Sequence, residues 1–381
     1  MLPNFSPRYS PKRRQQNPPV WYSNLVILKK GEGVSVEDLT IAVVGATGAV
    51  GAEFLRIVEQ RYAKPPRLRL MASKRSAGKR IAVGSEELVV EEATKDSFEG
   101  VDVAFISATS AVSRDLAPHA VAAGAVVIDD GSAFRMEANV PLVVPEVNGE
   151  DVEWHEGIIS IPNCSTTPLV MAAHPLRELA PIRRVIADTY QSVSGAGASL
   201  VADLREQSAR LVDADHSATA SEPGQIAYNL IPQIDRFMDT GYTYEEQKMR
   251  QESQKILHDP ELHISATCVR VPVYVSHSAA VHLEFERPVS VGEAREALAS
   301  MPGLTVLDDP ANNAYPMPWD VSGEDDVFVG RIRQDLSNPN GLALWIVSDN
   351  LRKGAALNSL QIAEELVKRD RLKPRAATTR V

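Results

Sequence analysis

Thr40-Ile41-Ala42-Val43-Val44-Gly45-Ala46-Thr47-Gly48-Ala49-Val50-Gly51 is the stretch that decides how the first half of the chain folds. Residues 40–44 are a largely β-branched run, suited to a parallel strand buried on both faces. Glycines follow at once. Glu53–Arg61 then has helical spacing, with Phe54, Leu55, Ile57 and Val58 apolar. A glycine turn between a strand and a helix carries more weight than the same glycines elsewhere. The spacing is Gly-x-x-Gly-x-x-Gly rather than Gly-x-Gly-x-x-Gly. The physical work is similar: small residues let a pyrophosphate approach backbone N–H groups at a helix N-terminus. A plain tight turn is the competing reading.

Moving outward, Arg67–Ala72 reads as the second strand. A site that prefers NAD usually has an Asp or Glu after this strand to bind the ribose 2′-hydroxyl. Here Ser73-Lys74-Arg75-Ser76-Ala77-Gly78-Lys79 has no acid, and its bases and hydroxyls suit a 2′-phosphate. That predicts NADP(H); a solvated basic loop is the alternative. Val101–Ile106 and Ala125–Ile128 are further strands, with a helix over Val112–Ala123 between them. The alternation predicts a doubly wound parallel sheet. Ligands of such sheets lie beyond the carboxyl ends of the strands, which puts Ser110 and Arg135 on the functional edge.

With 381 residues the chain is long enough for two domains, and 44% apolar against 24% charged content predicts a soluble globular protein. No apolar run is long enough to span a membrane. The net charge of −10 argues against nucleic-acid binding. Two cysteines, Cys164 and Cys268, make no disulfide framework, so a cytoplasmic location is expected. The first 33 residues carry six Lys/Arg against one acid and are rich in Pro, Asn, Gln and Ser. They read as disordered. A second hypothesis is that they are not normally translated: Lys29-Lys30-Gly31-Glu32 would be encoded by purine-rich codons resembling a ribosome-binding site, with a start at Val34.

In the second half, Ile161-Pro162-Asn163-Cys164-Ser165-Thr166-Thr167-Pro168 joins an apolar strand-like run to a helical one. Pro168 suits a first helical turn. Cys164 would then face unpaired N–H groups at the positive end of the helix, a setting that lowers a thiol pKa and makes a nucleophile. A buried structural cysteine remains the alternative. Ala187–Val193 reads as a strand running into Ser194-Gly195-Ala196-Gly197; Gln191 either orients a carbonyl or water, or is simply a polar strand end. Helices are expected over 199–212, 245–257, Val291–Ala299 and Asn358–Arg369. Residues 218–231 read as irregular. Glu245 and Lys248 share one helical face, the usual pattern of a solvated ion pair. Ala266–Ser278 alternates, with Pro272 limiting it to an edge or irregular strand. Arg270 and His277 are its polar residues of interest, and Cys268 reads as structural. Ala279–Phe285, 332–335 and Leu342–Val347 read as later strands, with a hairpin turn at Asn338–Gly341.

Together these stretches resemble the aspartate-β-semialdehyde dehydrogenase family, and its Gram-positive-type branch in particular. The markers are Gly45–Gly51, Ser73–Gly78, Ser132-Ala133-Phe134-Arg135, Pro162–Thr167, Gln191–Gly195, Glu245–Lys248, Arg270–His277 and Asp349–Ala356. The resemblance runs from about Leu39 to Arg369. It implies an α/β protein: an N-terminal Rossmann-like NADP-binding domain (39–163 and 349–371) and an α+β catalytic and dimerisation domain with a mixed sheet (164–348). Residues 1–38 would be a disordered extension and 372–381 a flexible tail.

The reaction implied is reversible. L-aspartate 4-semialdehyde, phosphate and NADP+ give 4-phospho-L-aspartate and NADPH, on the way to lysine, threonine and methionine. By position, the resemblance makes Cys164 the nucleophile, His277 the acid/base and Gln191 the group that orients the intermediate. Arg270 would hold the substrate carboxylate and Glu245 its amino group, with Asn163 beside them. Arg135 and Lys248 would bind phosphate. Gly45, Thr47, Gly48, Ala49, Val50, Ser73, Arg75, Ser76, Ser110, Ser194, Gly195 and Asn350 would contact the cofactor. No metal is expected, and a homodimer is implied.

The chemistry fits these roles. A thiolate adds to an aldehyde, hydride leaves, and the thioester is opened by phosphate. An imidazole with a pKa near neutrality suits the proton transfers. Asn163 and helix N–H groups are candidates for oxyanion stabilisation. Two alternatives stand beside this reading. N-acetyl-γ-glutamyl-phosphate reductase has similar chemistry, but its motif resembles Gly-Cys-Tyr-Pro-Thr and its acetylated substrate has no ammonium for Glu245. A catalytically inactive NADP-binding protein would have to lack a catalytic group.

Overall fold

The computed structural model describes residues 34–212 and 224–372. The basic segment 1–33, the tail beyond Leu372 and residues 218–223 of the stretch expected to be irregular lie outside the described residues. Order begins earlier than expected. Val36–Asp38 forms a 3-10 turn closed by a capping box from Ser35, and Val36 is buried in the first core. The disordered extension expected over 1–38 therefore does not reach residues 35–38, because an apolar side chain docks there.

The first sheet is built from β1 (Thr40–Val44), β2 (Arg67–Ala72), β5 (Glu91–Glu92), β6 (Val103–Ile106), β7 (Val126–Asp129) and β8 (Ile158–Ser160), in the order β5-β2-β1-β6-β7-β8. Every pairing in it is parallel. Ile41 and Val43 point into one core with Phe54 and Ile57 of helix α1 (Ala49–Arg61), while Ala42 and Val44 point into another with Leu116 and Ala120 of helix α2 (Ser110–Ala122). Both faces are covered, which is why β1 reads as an unbroken apolar run rather than an alternation. A small hairpin, β3 (Arg80–Val83) with β4 (Glu86–Val89), follows the basic turn and was not legible in sequence. Its side chains are mostly exposed, so burial leaves little apolar pattern.

The second sheet contains β9 (Ile182–Gln191), β10 (His263–Arg270), β11 (His277–Phe285), β12 (Leu304–Val306), β13 (Val327–Gln334) and β14 (Gly341–Ser348), ordered β10-β9-β11-β14-β13-β12. It is mixed: β10 runs parallel to β9 and β12 to β13, and the other pairings are antiparallel. The alternating run 266–278 is two strands, β10 and β11, broken where Pro272 cannot donate to a ladder. Helices α3 (Thr166–Arg177), α5 (Tyr244–Ile256) and α6 (Val291–Ser300) cover one face through Val170, Met249 and Leu298. On the other face the rings of Tyr190 and Trp345 pack at a tilt with centroids 5.5 Å apart, and Tyr190 is 38% exposed. Helix α4 (Ala198–Val212) lies outside that core. The last helix, α7 (Leu357–Lys368), packs against the first sheet through Leu360 and Ile362.

The glycine turn is tight for a visible reason. Gly45 has φ +91°, and a Cβ there would lie 2.1 Å from the Ser107 carbonyl oxygen. Gly45→Ala should therefore lower the unfolding free energy by about 2–4 kcal/mol, from backbone strain plus overpacking. A urea midpoint equal to that of the parent protein would contradict this packing.

Candidate active site

Cys164 stands where the chain leaves the first sheet. β8 belongs to that sheet, whereas α3, two residues beyond the cysteine, covers the second. The loop between them is held by Asn163. The Asn163 carbonyl accepts from the N–H groups of Thr166 (2.9 Å) and Thr167 (3.1 Å), and its Oδ1 accepts from the Ser165 N–H (2.9 Å). Its Nδ2 donates to Glu245 (2.8 Å) and its main-chain N–H to Glu252 (2.6 Å). The N–H groups expected to face the thiol are thus already taken by Asn163.

This corrects the expectation of a lowered thiol pKa. Burial, then the Glu245 carboxylate, pushes the Cys164 thiol up to about 12, against the opposing pull of Arg270 and Arg135. The thiol needs a base, and one is in place: Sγ is 3.3 Å from His277 Nε2. His277 opens β11, after Ser276 in the left-handed region (φ 74°). Its ring is not near neutrality either. Burial, then Arg270, pushes it down to about 3, so the free imidazole is an uncharged base at pH 7. Ser192 presents its N–H (3.1 Å) and its Oγ (3.0 Å) to Nδ1. A bare Nδ1 can accept from the first, and a protonated one can donate to the second. Ser192 Oγ in turn donates to Asn350 Oδ1 (3.1 Å), which also accepts from the Ser276 N–H (2.9 Å) and from Ser194 Oγ.

Cys164, Asn163, Gln191, Arg270, Glu245, Lys248, Arg135, Ser110 and Gly195 line one cavity of about 390 Å³. The sequence reading had drawn them from both halves of the chain. Gln191, 1% exposed at the end of β9, donates to Thr189 Oγ1 (3.3 Å). Gly195 lets His277 and Arg270 close in: a Cβ there would lie 3.0 Å from His277 Nε2 and 3.2 Å from Arg270 Nη1.

The cations differ in kind. Lys248 is paired with Asp235 (2.8 Å) and Glu245 (3.1 Å), and Arg135 with Glu252 (3.0 Å). Arg270 makes no ion pair among the described residues; its Nη1 donates to the Ser192 carbonyl (2.8 Å), and burial lowers its pKa. A buried guanidinium without a counter-ion, at the wall of a cavity, is suited to a carboxylate from outside. Cys268 is buried against Met249, as its apolar run indicated.

The remaining residues lie apart from the cavity wall. Gly45, Thr47, Gly48, Ala49 and Val50 form the turn into α1, whose N-cap Gly48 makes no side-chain hydrogen bond. Ser73 and Arg75 are exposed beside it, while Ser76 is buried 3.5 Å from Thr47 Oγ1. Asn350 is 2% exposed, behind Ser194. Sequence reasoning missed Ser192, Asp235, Glu252 and Gly354. A Cβ on Gly354 would lie 2.9 Å from Cys164 Cβ, so this glycine admits the cysteine loop. Glu252 was foreshadowed by its position one turn after Lys248 on the same helical face. Ser192 and Gly354 lay within the Gln191–Gly195 and Asp349–Ala356 markers with no role given to them, and no signal marked Asp235. Among the described residues there is no cluster that could hold a metal ion.

Residues 40–155 match the family model "semialdehyde dehydrogenase, NAD binding domain", and residues 174–353 match "semialdehyde dehydrogenase, dimerisation domain". The chain is 50% identical to the aspartate-semialdehyde dehydrogenase of Bacillus subtilis (strain 168), over 87% of this chain and 98% of that one. It is 48% identical to the enzyme of the same name from Aquifex aeolicus (strain VF5), over 86% and 98%. The crystal structure of aspartate semialdehyde dehydrogenase II from Vibrio cholerae complexed with ASA superposes with a TM-score of 0.84 at 41% identity, covering 87% of this chain and 98% of that chain. The Candida albicans enzyme with NADP superposes at 0.68 and 28% identity, covering 86% and 98%. Two family models over most of the chain, and half-identity to relatives matched almost end to end, place this chain in the aspartate-semialdehyde dehydrogenase family.

Proposed function

We propose that the protein interconverts L-aspartate 4-semialdehyde and 4-phospho-L-aspartate, with phosphate and NADP(H), for the synthesis of lysine, threonine and methionine. One observation carries the reading: Cys164 Sγ lies 3.3 Å from His277 Nε2 beside a cavity that Arg270 also lines. His277 takes the thiol proton as Sγ adds to the aldehyde carbon, then returns it to the oxygen of the resulting thiohemiacetal. It takes that proton again as hydride departs, which leaves a thioester on Sγ. Phosphate attacks the thioester carbonyl and the sulfur leaves. Arg270 clamps the substrate carboxylate, Glu245 meets its ammonium, and Gln191 and Asn163 orient the reacting carbonyl. Arg135 and Lys248 neutralise the phosphate. The convergence of these groups at one cavity, with His277 behind Cys164, speaks against a catalytically inactive protein. A cavity that offers Glu245 to an ammonium speaks against an acetylated substrate.

The residues fit a dinucleotide phosphate. Gly48 leaves the N-terminus of α1 without a side-chain cap, and Gly45 allows close approach. When bound, the nicotinamide supplies or accepts the hydride. Thr47, Ala49, Val50 and Ser110 would hold the cofactor, with Ser194 and Gly195 beside the cysteine and Asn350 acting through Ser194. Ser73, Arg75 and Ser76 form the turn after β2, with no acid to meet a ribose 2′-hydroxyl, which supports NADP(H) over NAD(H).

In domain terms, residues 39–163 and 349–371 would carry the cofactor, and 164–348 would carry catalysis and dimerisation. Separate apolar cores under the two sheets support this division. The half-open face bearing Tyr190 and Trp345, within the segment matching the dimerisation domain, supports a homodimer. No helix among the described residues is long and apolar enough to cross a membrane; a cytoplasmic location rests on the sparse, unpaired cysteines.

The defining experiment is phosphate-dependent reduction of NADP+ with aspartate semialdehyde. Cys164→Ser should abolish turnover while NADP+ still binds. Near-normal turnover by that variant would rule out the covalent route. Arg75→Ala should raise the KM for NADP+ roughly tenfold and leave that for NAD+ unchanged; equal effects on both would refute the 2′-phosphate assignment. In the unliganded protein, iodoacetamide should modify Cys164 about tenfold faster per pH unit from pH 7 to 9, since a thiol pushed up to about 12 is mostly protonated there. A plateau below pH 9 would mean that Arg270 and Arg135 outweigh burial.

A further inference from the structure

Helix α5 presents Glu245, Lys248 and Glu252 along one stripe, at the i, i+3 and i+7 spacing of a helical face. The first two line the cavity, but Glu252 does not. It is 1% exposed, and both oxygens are engaged: Oε1 accepts from Arg135 Nη1 (3.0 Å) and Oε2 from the Asn163 N–H (2.6 Å). A carboxylate so occupied is no proton acceptor for substrate. What it does is tie two unlike parts of the site together. Arg135 comes from the loop after β7 in the first sheet; Asn163 immediately precedes the nucleophile; Glu252 comes from a helix on the second sheet.

We propose that Glu252 is a positioning residue for the phosphate half-reaction: it keeps Arg135 partly neutralised before the anion arrives and ties that charge to the peptide beside Cys164. This rests on the reading of Arg135 as a phosphate ligand. Arg135 otherwise donates Nη2 to the Asp130 carbonyl (2.8 Å), and its buried Nε has no partner among the described residues. An incoming phosphate therefore meets a guanidinium whose charge Glu252 already balances. It binds more weakly than it would to a bare one, and it leaves more readily when acyl phosphate is consumed. Because the same carboxylate holds Asn163, the anion site and the sulfur keep a set separation. The loop carrying Arg135 has independent support: Lys255, one turn further along α5, donates to the carbonyls of Arg135, Glu137 and Val140 at 2.7–2.8 Å. Glu252→Gln should thus leave the loop in place.

The test uses the full-length enzyme. In phosphate-dependent NADP+ reduction, Glu252→Gln should lower the KM for phosphate roughly 5- to 10-fold, since a charge-assisted pair is released. It should also lower kcat about tenfold, since Gln offers one oxygen to two donors and the Asn163 N–H no longer meets a carboxylate. A part with only a packing role would not tighten phosphate binding; an unchanged or raised phosphate constant, or an unchanged kcat, overturns the proposal. Glu252→Asp keeps the charge and draws it back, so the phosphate constant should stay within about twofold while kcat still falls. Should Glu252→Gln fail to fold, a shifted phosphate constant in Glu252→Asp overturns the proposal. Protection of Cys164 from iodoacetamide by inorganic phosphate, without semialdehyde, separates the two levels of inference. No protection in the wild type would defeat the assignment of the phosphate site. Protection in the wild type, with no shift to lower phosphate concentration in Glu252→Gln, would defeat the role of Glu252 alone.

Discussion

Asn163 has every polar group it possesses engaged in holding the loop of Cys164. Its carbonyl and Oδ1 close the start of α3, and its N–H and Nδ2 reach the two α5 carboxylates. The constraint matters because the chain crosses here from one sheet to the other. A flexible crossing would let the two halves of the site drift. With Asn163 fixed, the sulfur stands 3.3 Å from a ring that opens the central strand β11 of the second sheet. Reactivity on this scale depends on placement within a fraction of an ångström, so the residue beside the cysteine carries much of the geometric burden.

Electrostatics complete the picture. Three cations, Arg135, Lys248 and Arg270, line the cavity with one cysteine. The folded site is more discriminating. Arg135 and Lys248 arrive paired, and of the three Arg270 alone meets the cavity with no carboxylate partner among the described residues. Burial acts on Cys164 and His277 in the same sense, pushing the thiol up and the imidazole down, so the uncharged pair is favoured. Burying a charge is unfavourable unless it is paired, and the placing of partners decides which cation is left open to the cavity.

What the chain determined by itself follows from local and periodic signals. The β-branched run before Gly45, the basic turn after Ala72 and the Asn163-Cys164 junction each need only their neighbours to be read. Unbroken apolar runs located β1, β6 and β7, and helical spacing the helices beside them, because burial on both sheet faces leaves a run and burial on one helix face leaves a repeat. The segment families around Gln191, Arg270 and His277 were legible as a resemblance. What the tertiary structure alone decided is which groups are neutralised and which hydrogen bonds are already taken. The helix N–H groups expected to lower the thiol pKa are capped by Asn163, the ring expected near neutrality is desolvated, and Glu252 reaches Arg135 across 117 residues. The reason is physical: strand and helix formation depend on patterns a few residues long, but desolvation and ion pairing depend on every group within a few ångströms, and those groups come from anywhere in the chain.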